Sequence, residues 1–363
     1  MEPLEPKESR TPLEPIVALE RIAYLLEREQ ASTYRVQAFR KAADALRART
    51  AELPRTTAGI AALPGLGPKT AEVVSAARAG EVPGYLAELE ARAAAPLAEL
   101  DAAGAALHAA LRGDCHLHSD WSDGGSPIET MARAARDLGH AWVVLTDHSP
   151  RLTVARGLSA ERLREQLAVV AEVNRRLAPF RLLTGIECDI LDDGSLDQED
   201  ELLAELDVVV ASVHSKLRMA SGPMTRRLVN AVRNPLVDVL GHCTGRLVAP
   251  GDGVRGGGKE RPESVFDAAE VFAACAEHRT AVEINSRPER LDPPHRLLRQ
   301  AEQAGCLFAL DTDAHAPGQL GWQEYGCARA ARAGVPPRRV ITTWTADQLL
   351  DWTRTGRLPQ ERG

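Results

Sequence analysis

The chain has 363 residues, of which 44% are apolar and 26% charged, with a formal net charge of −7. That is room for one large domain and a small one, in the composition of a globular protein with a full core, which excludes a collagen-like or wholly disordered chain. No apolar stretch approaches the roughly 20 residues that cross a bilayer, and six scattered cysteines without a CxxC pair, behind an N-terminus lacking a signal-peptide pattern, point to a reducing cytoplasm.

Residues 1–15, MEPLEPKESRTPLEP, are rich in Pro and Glu and poor in large apolar side chains, so a disordered lead-in is expected. A helical domain is expected over 16–111. Ile16, Leu19, Ile22, Ala23 and Leu26 recur at helical spacing; a second helix is expected over about 32–49, with Val36, Phe39, Ala43 and Leu46 inward and Arg35, Arg40, Lys41, Arg47 and Arg49 outward. Residues 56–79, TTAGIAALPGLGPKTAEVVSAARA, spell a helix-hairpin-helix: Pro64 ends the first helix, Gly65 and Gly67 allow the turn, and Pro68 suits the first position of the second. Residues 85–111 continue as Ala/Leu-rich helix. Residues 28–78 hold nine Lys/Arg against four Asp/Glu, an excess suited either to phosphates or to an ordinary solvated helix face.

A second domain is expected over 112–355, with 356–363 as a tail. Short β-branched or apolar runs occur at 113–119, 141–148, 181–187, 207–214, 237–242, 280–286 and 307–315. Helical patterns separate them near 127–139, 159–177, 198–205, 224–233, 263–278 and 294–304. Alternating strand and helix implies a parallel sheet with both faces covered. Seven such units predict a (β/α) barrel, with a doubly wound open sheet as the alternative that shares the local pattern. A glycine-rich loop covers 251–258.

His116, His118, His148, His214, His242 and His315 all fall within or just after an apolar run, Glu187 ends the third run, Asp313 lies in the last, and Asp123 follows the HxH pair by a short loop. In a parallel barrel the strand C-termini gather at one face, so these side chains are predicted to meet there. One strand-end histidine is ordinarily just hydrogen-bonded; nine such groups at one end describe a metal cluster. Neutral imidazoles and carboxylates suit Zn²⁺, Mn²⁺ or Fe²⁺, and nine ligands suit three ions. No strand-end Ser or Cys is set up with a base, so a metal-bound hydroxide is the expected attacker. Cys115 and Cys243 adjoin ligands but face the opposite side of a strand, as packing residues.

D-C-H-L-H followed by S-D-G, then T-D-H, G-I-E, A-S-V-H, G-H, E-I-N-S and T-D-A-H resemble the PHP (polymerase and histidinol phosphatase) family over about 113–345. The texture is most similar to the PHP domain of bacterial family X DNA polymerases, down to DHSPRLTVARGLS at 147–159 and RLD at 290–292. The resemblance implies a distorted seven-stranded (β/α) barrel with a trinuclear site: His116, His118, Glu187 and Asp313 on the first ion, Glu187 bridging to a second held by His214 and His242, and Asp123, His148 and His315 on the third. Glu187, Asp313 and His148 would carry catalysis itself. The front of the chain, ALERIAYLLEREQASTYRVQAFRKAADAL into LPGLGPKTAEVV, resembles the small N-terminal domain of family X polymerases, with Gly65, Gly67 and Lys69 as candidate DNA contacts.

Two departures from that family matter. Palm and fingers are absent between the two matching regions, so no polymerase activity is expected. In lyase members a nucleophilic lysine lies four residues past the one matching Lys69; here that position is Val73. The expected function is a DNA-directed phosphoesterase (3′-5′ exonuclease, 3′-end processing or abasic-site cleavage), with a histidinol-phosphatase type of small-molecule phosphatase as the alternative and a DNA-binding scaffold with a structural metal site as a third. Arg151, Arg156, Lys216, Arg218 and Arg246, just beyond strand ends, are candidates to hold the substrate phosphate. His108, His140, His278 and His295 are assigned no role.

Overall fold

The computed structural model describes residues 13–248 and 260–359. Most of the expected lead-in, the glycine-rich loop 251–258 and the last four residues of the tail lie outside the described residues. The chain divides into two compact units, meeting in sequence between Pro96 and Leu97.

The first unit holds α1 (Pro15–Arg28), α2 (Thr33–Arg47), α3 (Thr57–Ala61), α4 (Pro68–Arg78) and α5 (Gly84–Ala93). Its core takes Leu19, Ile22 and Leu26 from α1, Val36, Phe39 and Ala43 from α2, and Val73 and Val74 from α4. Pro68 opens α4, where a missing N–H costs nothing. Gly65 takes a φ of +83°, a left-handed turn open to glycine, and a Cβ there would stand 3.0 Å from Ala45 Cβ. Arg40, expected on the outer face of α2, instead turns inward and grips the buried Glu27 of α1 at 2.8 Å, so part of the basic excess is neutralised inside the unit.

Residues 85–111 are not one helix. α5 stops at Ala93, just ahead of Pro96, and α6 (Ala102–Ala110) starts afresh with Asp101 accepting from Gly104 N at 2.7 Å as its N-cap. α6 belongs to the second unit, where Gly104 lies close against Ala331. By contacts the division therefore falls 15 residues ahead of the expected 111/112.

The second unit continues with α7 (Ile128–Asp137), β1 (Trp142–Leu145), α8 (Ala160–Leu177), β2 (Arg181–Asp189), α9 (Asp200–Leu203), β3 (Val208–Ser212), α10 (Ser221–Val232), β4 (Val239–Leu240), α11 (Ala268–His278), β5 (Ala281–Asn285), α12 (His295–Gln303), β6 (Phe308–Asp311), α13 (Gln323–Ala333) and α14 (Ala346–Thr355). All six strands are parallel and pair in chain order from β1 to β6. A doubly wound sheet needs a reversal of strand order, so this order removes that alternative. Alternate strand residues form two layers: Trp142, Val144, Leu183, Val208, Val210, Val239, Ala281 and Ala309 pack together on one face, while Ile186, Val209, Leu240, Val282 and Leu310 pack against helices on the other.

The run at 113–119 does not form a continuous strand. Leu117 makes single parallel bridges to Leu145 beyond one sheet edge and to Ala314 beyond the other. The reason is local: its amides are taken by side chains. Cys115 N donates to Asp311 Oδ1 at 2.8 Å, His116 N to Asp114 Oδ1 at 3.0 Å, Leu117 N to Thr146 Oγ1 at 3.0 Å and Ser119 N to Asp147 Oδ1 at 2.8 Å. Among the described residues no helix is long and apolar enough to cross a membrane.

Candidate metal centre

Six of the nine side chains of the cluster are carried by a strand or by the residues just past one. β2 carries Glu187; His148 follows β1 by three residues; His214 and His242 follow β3 and β4 by two; Asp313 and His315 follow β6. His116 and His118, two apart on the bridging segment, both face inward, and their rings lie 5.1 Å apart. The structure brings all nine together. Glu187 sits at the centre, with Oε2 at 3.3 Å from His116 Nε2, 3.6 Å from His118 Nε2 and 2.8 Å from His148 Nδ1, and Oε1 at 3.2 Å from His214 Nε2 and 2.7 Å from His242 Nε2. Asp313 Oδ1 lies 3.5 Å from His118 Nε2 and 4.0 Å from His116 Nε2. Asp123 Oδ1 lies 3.4 Å from Nε2 of both His148 and His315.

Four overlapping groups can close on a cation: His118, Asp123, His148 and His315; His116, His118 and Asp313; His116, Glu187 and His242; and His148, Glu187 and His214. Asp123 is 37% exposed and every other member 18% or less, so the Asp123 end is the solvent side and the Glu187 end the floor.

The donor set itself fits divalent ions. Among the described residues, Nε2 of His116, both nitrogens of His118 and His214, Nδ1 of His148 and Glu187 Oε2 are buried without a hydrogen-bond partner. Such groups are costly to leave unmade, and a cation satisfies them together. Burial works against a charge on His116, yet the carboxylates of Glu187, Glu283 and Asp313 outweigh it and hold its pKa well above the usual range. Burial likewise opposes protonation of His148, but Glu187 and Asp123 raise it to about 10. His118 goes well below its ordinary value, through burial and the charges of His315 and His148. Glu187 and Asp313 resist burial and stay far down in the ionised range, Glu187 through its imidazoles and Asp313 chiefly through Arg290. The ionised carboxylates of Glu187 and Asp313 thus make one small space that attracts positive charge, a proton on His116 and His148 or a cation in its place. Burial pushes the thiols of Cys115 and Cys243 well up, so neither is a thiolate nucleophile.

Around the nine stand residues that sequence reasoning missed. Glu283 Oε1 lies 2.6 Å from His116 Nδ1, and its other oxygen accepts from His242 N. Asp189 Oδ1 accepts from His214 N at 3.1 Å and stands 3.4 Å from His214 Nδ1. Both fix imidazoles from behind, the usual partner of a ligating histidine. Glu283 was visible as the E of E-I-N, on the same strand face as Asn285. Arg290 Nε reaches Asp313 Oδ2 at 2.9 Å, and Arg287 Nη1 lies 3.6 Å from Asp313 Oδ1.

The five basic candidates are placed differently from those two. Arg156 donates to the carbonyls of Asp120 and Ser122, beside Asp123. Arg246 donates to the carbonyls of Arg290 and Leu291. Lys216 pairs with Asp192. Arg151 and Arg218 are exposed, Arg151 with its amide on Asp197. In the first unit, Gly67 N donates to Thr70 Oγ1 at 2.9 Å, and Lys69 lies 3.5 Å from Glu72 and 5.1 Å from the Tyr85 ring centre.

Residues 13–77 match the helix-hairpin-helix domain family, and residues 114–287 match the PHP domain family. The chain carries a PHP domain. It is 37% identical over 231 residues to the DNA polymerase/3′-5′ exonuclease PolX of Bacillus subtilis (strain 168), an alignment that covers 64% of this chain and 39% of that protein. It is 28% identical over 235 residues to a probable phosphatase of Thermoanaerobacter sp. (strain X514), covering 63% of this chain and 89% of that one. The histidinol phosphate phosphatase of Lactococcus lactis subsp. lactis Il1403, whose structure holds zinc, L-histidinol and phosphate, aligns at 18% identity over 61% of this chain and 94% of its own, with a TM-score of 0.43, too distant a likeness to carry an argument. The PHP domain belongs among metal-dependent hydrolases of phosphate esters.

Proposed function

We propose that the chain is a phosphoesterase acting on DNA, removing 3′-terminal nucleotides or 3′-blocking groups or cleaving at abasic sites, with three divalent ions (Zn²⁺, Mn²⁺ or Fe²⁺) in the PHP domain. The observation that carries it is the convergence of nine ligand-type side chains on one half-open site, in a chain whose residues 13–77 match the helix-hairpin-helix domain family. His116, His118, Glu187 and Asp313 would hold the first ion, Glu187, His214 and His242 the second, and Asp123, His148 and His315 the third. Ions held there would supply water activation near neutral pH and neutralisation of phosphate oxygens.

The chain's own groups supply the rest. Glu187 spans two positions and keeps them in register. Glu283 stands 2.6 Å from the rear nitrogen of His116, and Asp189 accepts from His214 main-chain N with its carboxylate 3.4 Å behind that ring, so both steady the imidazole that faces the site. Arg290 and Arg287 offset the charge of Asp313. Phosphate entering past Asp123 meets the exposed end of the cluster first. We read the 113–119 segment as the seventh position of a distorted barrel, with Leu117 bridging towards both edges. Gly65, Gly67 and Lys69 are proposed to meet a DNA phosphate at the start of α4. All six thiols are free and buried, in keeping with a cytoplasmic setting.

The likeness to a probable phosphatase keeps one alternative in play, a small-molecule phosphatase of the histidinol-phosphatase type. It accounts equally for the cluster but gives the first unit no task. The test offers the full chain with Mn²⁺ 3′-labelled DNA, abasic DNA and histidinol phosphate side by side. Faster turnover of either DNA substrate is expected; turnover of histidinol phosphate alone contradicts the proposal.

A further inference from the structure

Arg227, near the middle of α10, has a side chain with no exposed surface. A charged group so placed is expensive unless it is paired or fully hydrogen-bonded. The nearest carboxylate, Asp192, is 3.9 Å away and is already engaged by Lys216. All five N–H groups of the guanidinium nevertheless find acceptors. Nε and Nη2 both donate to Ile190 O, the first at 3.1 Å; Nη1 donates to Ser215 O at 2.9 Å and to Met219 Sδ at 3.5 Å; Nη2 also reaches Ser215 Oγ at 3.3 Å.

The two main-chain acceptors are informative in their positions. Ile190 follows Asp189 at the exit of β2, three residues past Glu187, and Ser215 follows His214 at the exit of β3. One buried fork thus spans the two chain exits that carry Glu187 and His214. The same seam is stitched by Ile190 N to Ser212 O at 2.7 Å and by His214 N to Asp189 Oδ1 at 3.1 Å. A methionine would fill the space without the cost of burying a charge. What methionine cannot do is hold two carbonyls at a fixed separation.

We infer that Arg227 is a positioning residue for the second ion: it sets the spacing of the β2 and β3 exits, so that His214, braced by Asp189, presents Nε2 to Glu187. The inference rests on the three-ion reading above. It assigns to one buried residue an effect on one ion, not on the whole cluster. His116, His118, Asp123, His148 and His315 lie on other segments, which the guanidinium does not touch.

The test is a Mn²⁺ titration of the chelator-stripped full chain, followed by paramagnetic resonance and calorimetry, with thermal unfolding alongside. Wild type is expected to take three ions. Arg227→Met and Arg227→Lys are expected to keep two at wild-type affinity and to weaken the remaining one by about 10–100-fold. Lysine keeps the charge but cannot fork to both carbonyls, so it separates span from charge. Asp189→Asn leaves Arg227 in place and is expected to give the same selective loss, which keeps the inference testable if Arg227→Met does not fold. Three ions at wild-type affinity in Arg227→Lys and Asp189→Asn, or an equal loss at all sites, overturns the inference. Wild type that takes no ion overturns the three-ion reading and the inference with it, and the wild-type arm tells that failure from the first.

Discussion

Glu187 meets five imidazoles, those of His116, His118, His148, His214 and His242, each within 3.6 Å. With one side chain common to so many partners, Glu187→Gln keeps the volume and removes the charge that all of them share. Metal content is expected to fall by more than one ion per chain, and turnover by several orders of magnitude, when both are measured on the purified variant. His148 stands nearer the solvent side, with Asp123 on its Nε2. His148→Ala is expected to cost mainly the third ion, weakening phosphate binding and turnover while two ions stay. Equal metal loss in the two variants contradicts this division of roles.

At the level of elements, the histidines were legible because strand-end residues recur after apolar runs and because a parallel sheet collects those ends. The helices at 160–177 and 295–303 were legible from their periodicity. Asp189 and Arg227 carry no local mark, since their importance comes from register between segments far apart in sequence, whereas Glu283 shows only as the E of E-I-N, with nothing local to tie it to His116. The segment at 113–119 reads as a strand from its alternation, yet Asp114, Asp147, Thr146 and Asp311 side chains take its amides. The run from 85 to 111 reads as continuous helix because Ala and Leu favour helix throughout, yet the chain breaks at Pro96 and Asp101 caps a new helix. The break has a measurable consequence. A fragment starting at Leu97 keeps α6 and its buried Leu107, while one starting at Gly113 loses them. Burying one leucine is worth roughly 1.5–3 kcal/mol, so the shorter fragment is expected to melt several degrees lower. Equal melting temperatures contradict the assignment of α6 to the second unit.

For the whole molecule, the two units are expected to divide the work. The fragment from Leu97 should retain hydrolysis of a small aryl phosphate and lose much of the affinity for DNA, and the binding of the full chain should weaken as salt rises. Equal DNA affinity for fragment and full chain contradicts that division. Val73, which the resemblance to family X polymerases sets at the position of the lyase lysine, is 2% exposed in the first unit's core. Incubation with a 5′-deoxyribose-phosphate end and borohydride is therefore expected to trap no covalent adduct, and an adduct on Lys69 would show that the position was misread. The central claim, that nine side chains from seven chain segments form one trinuclear site, is tested most directly by anomalous scattering from crystals of the full chain soaked in Mn²⁺. Three peaks are predicted: one among His116, His118, Glu187 and Asp313, one among Glu187, His214 and His242, and one among Asp123, His148 and His315. A single peak, or none among these residues, contradicts the account.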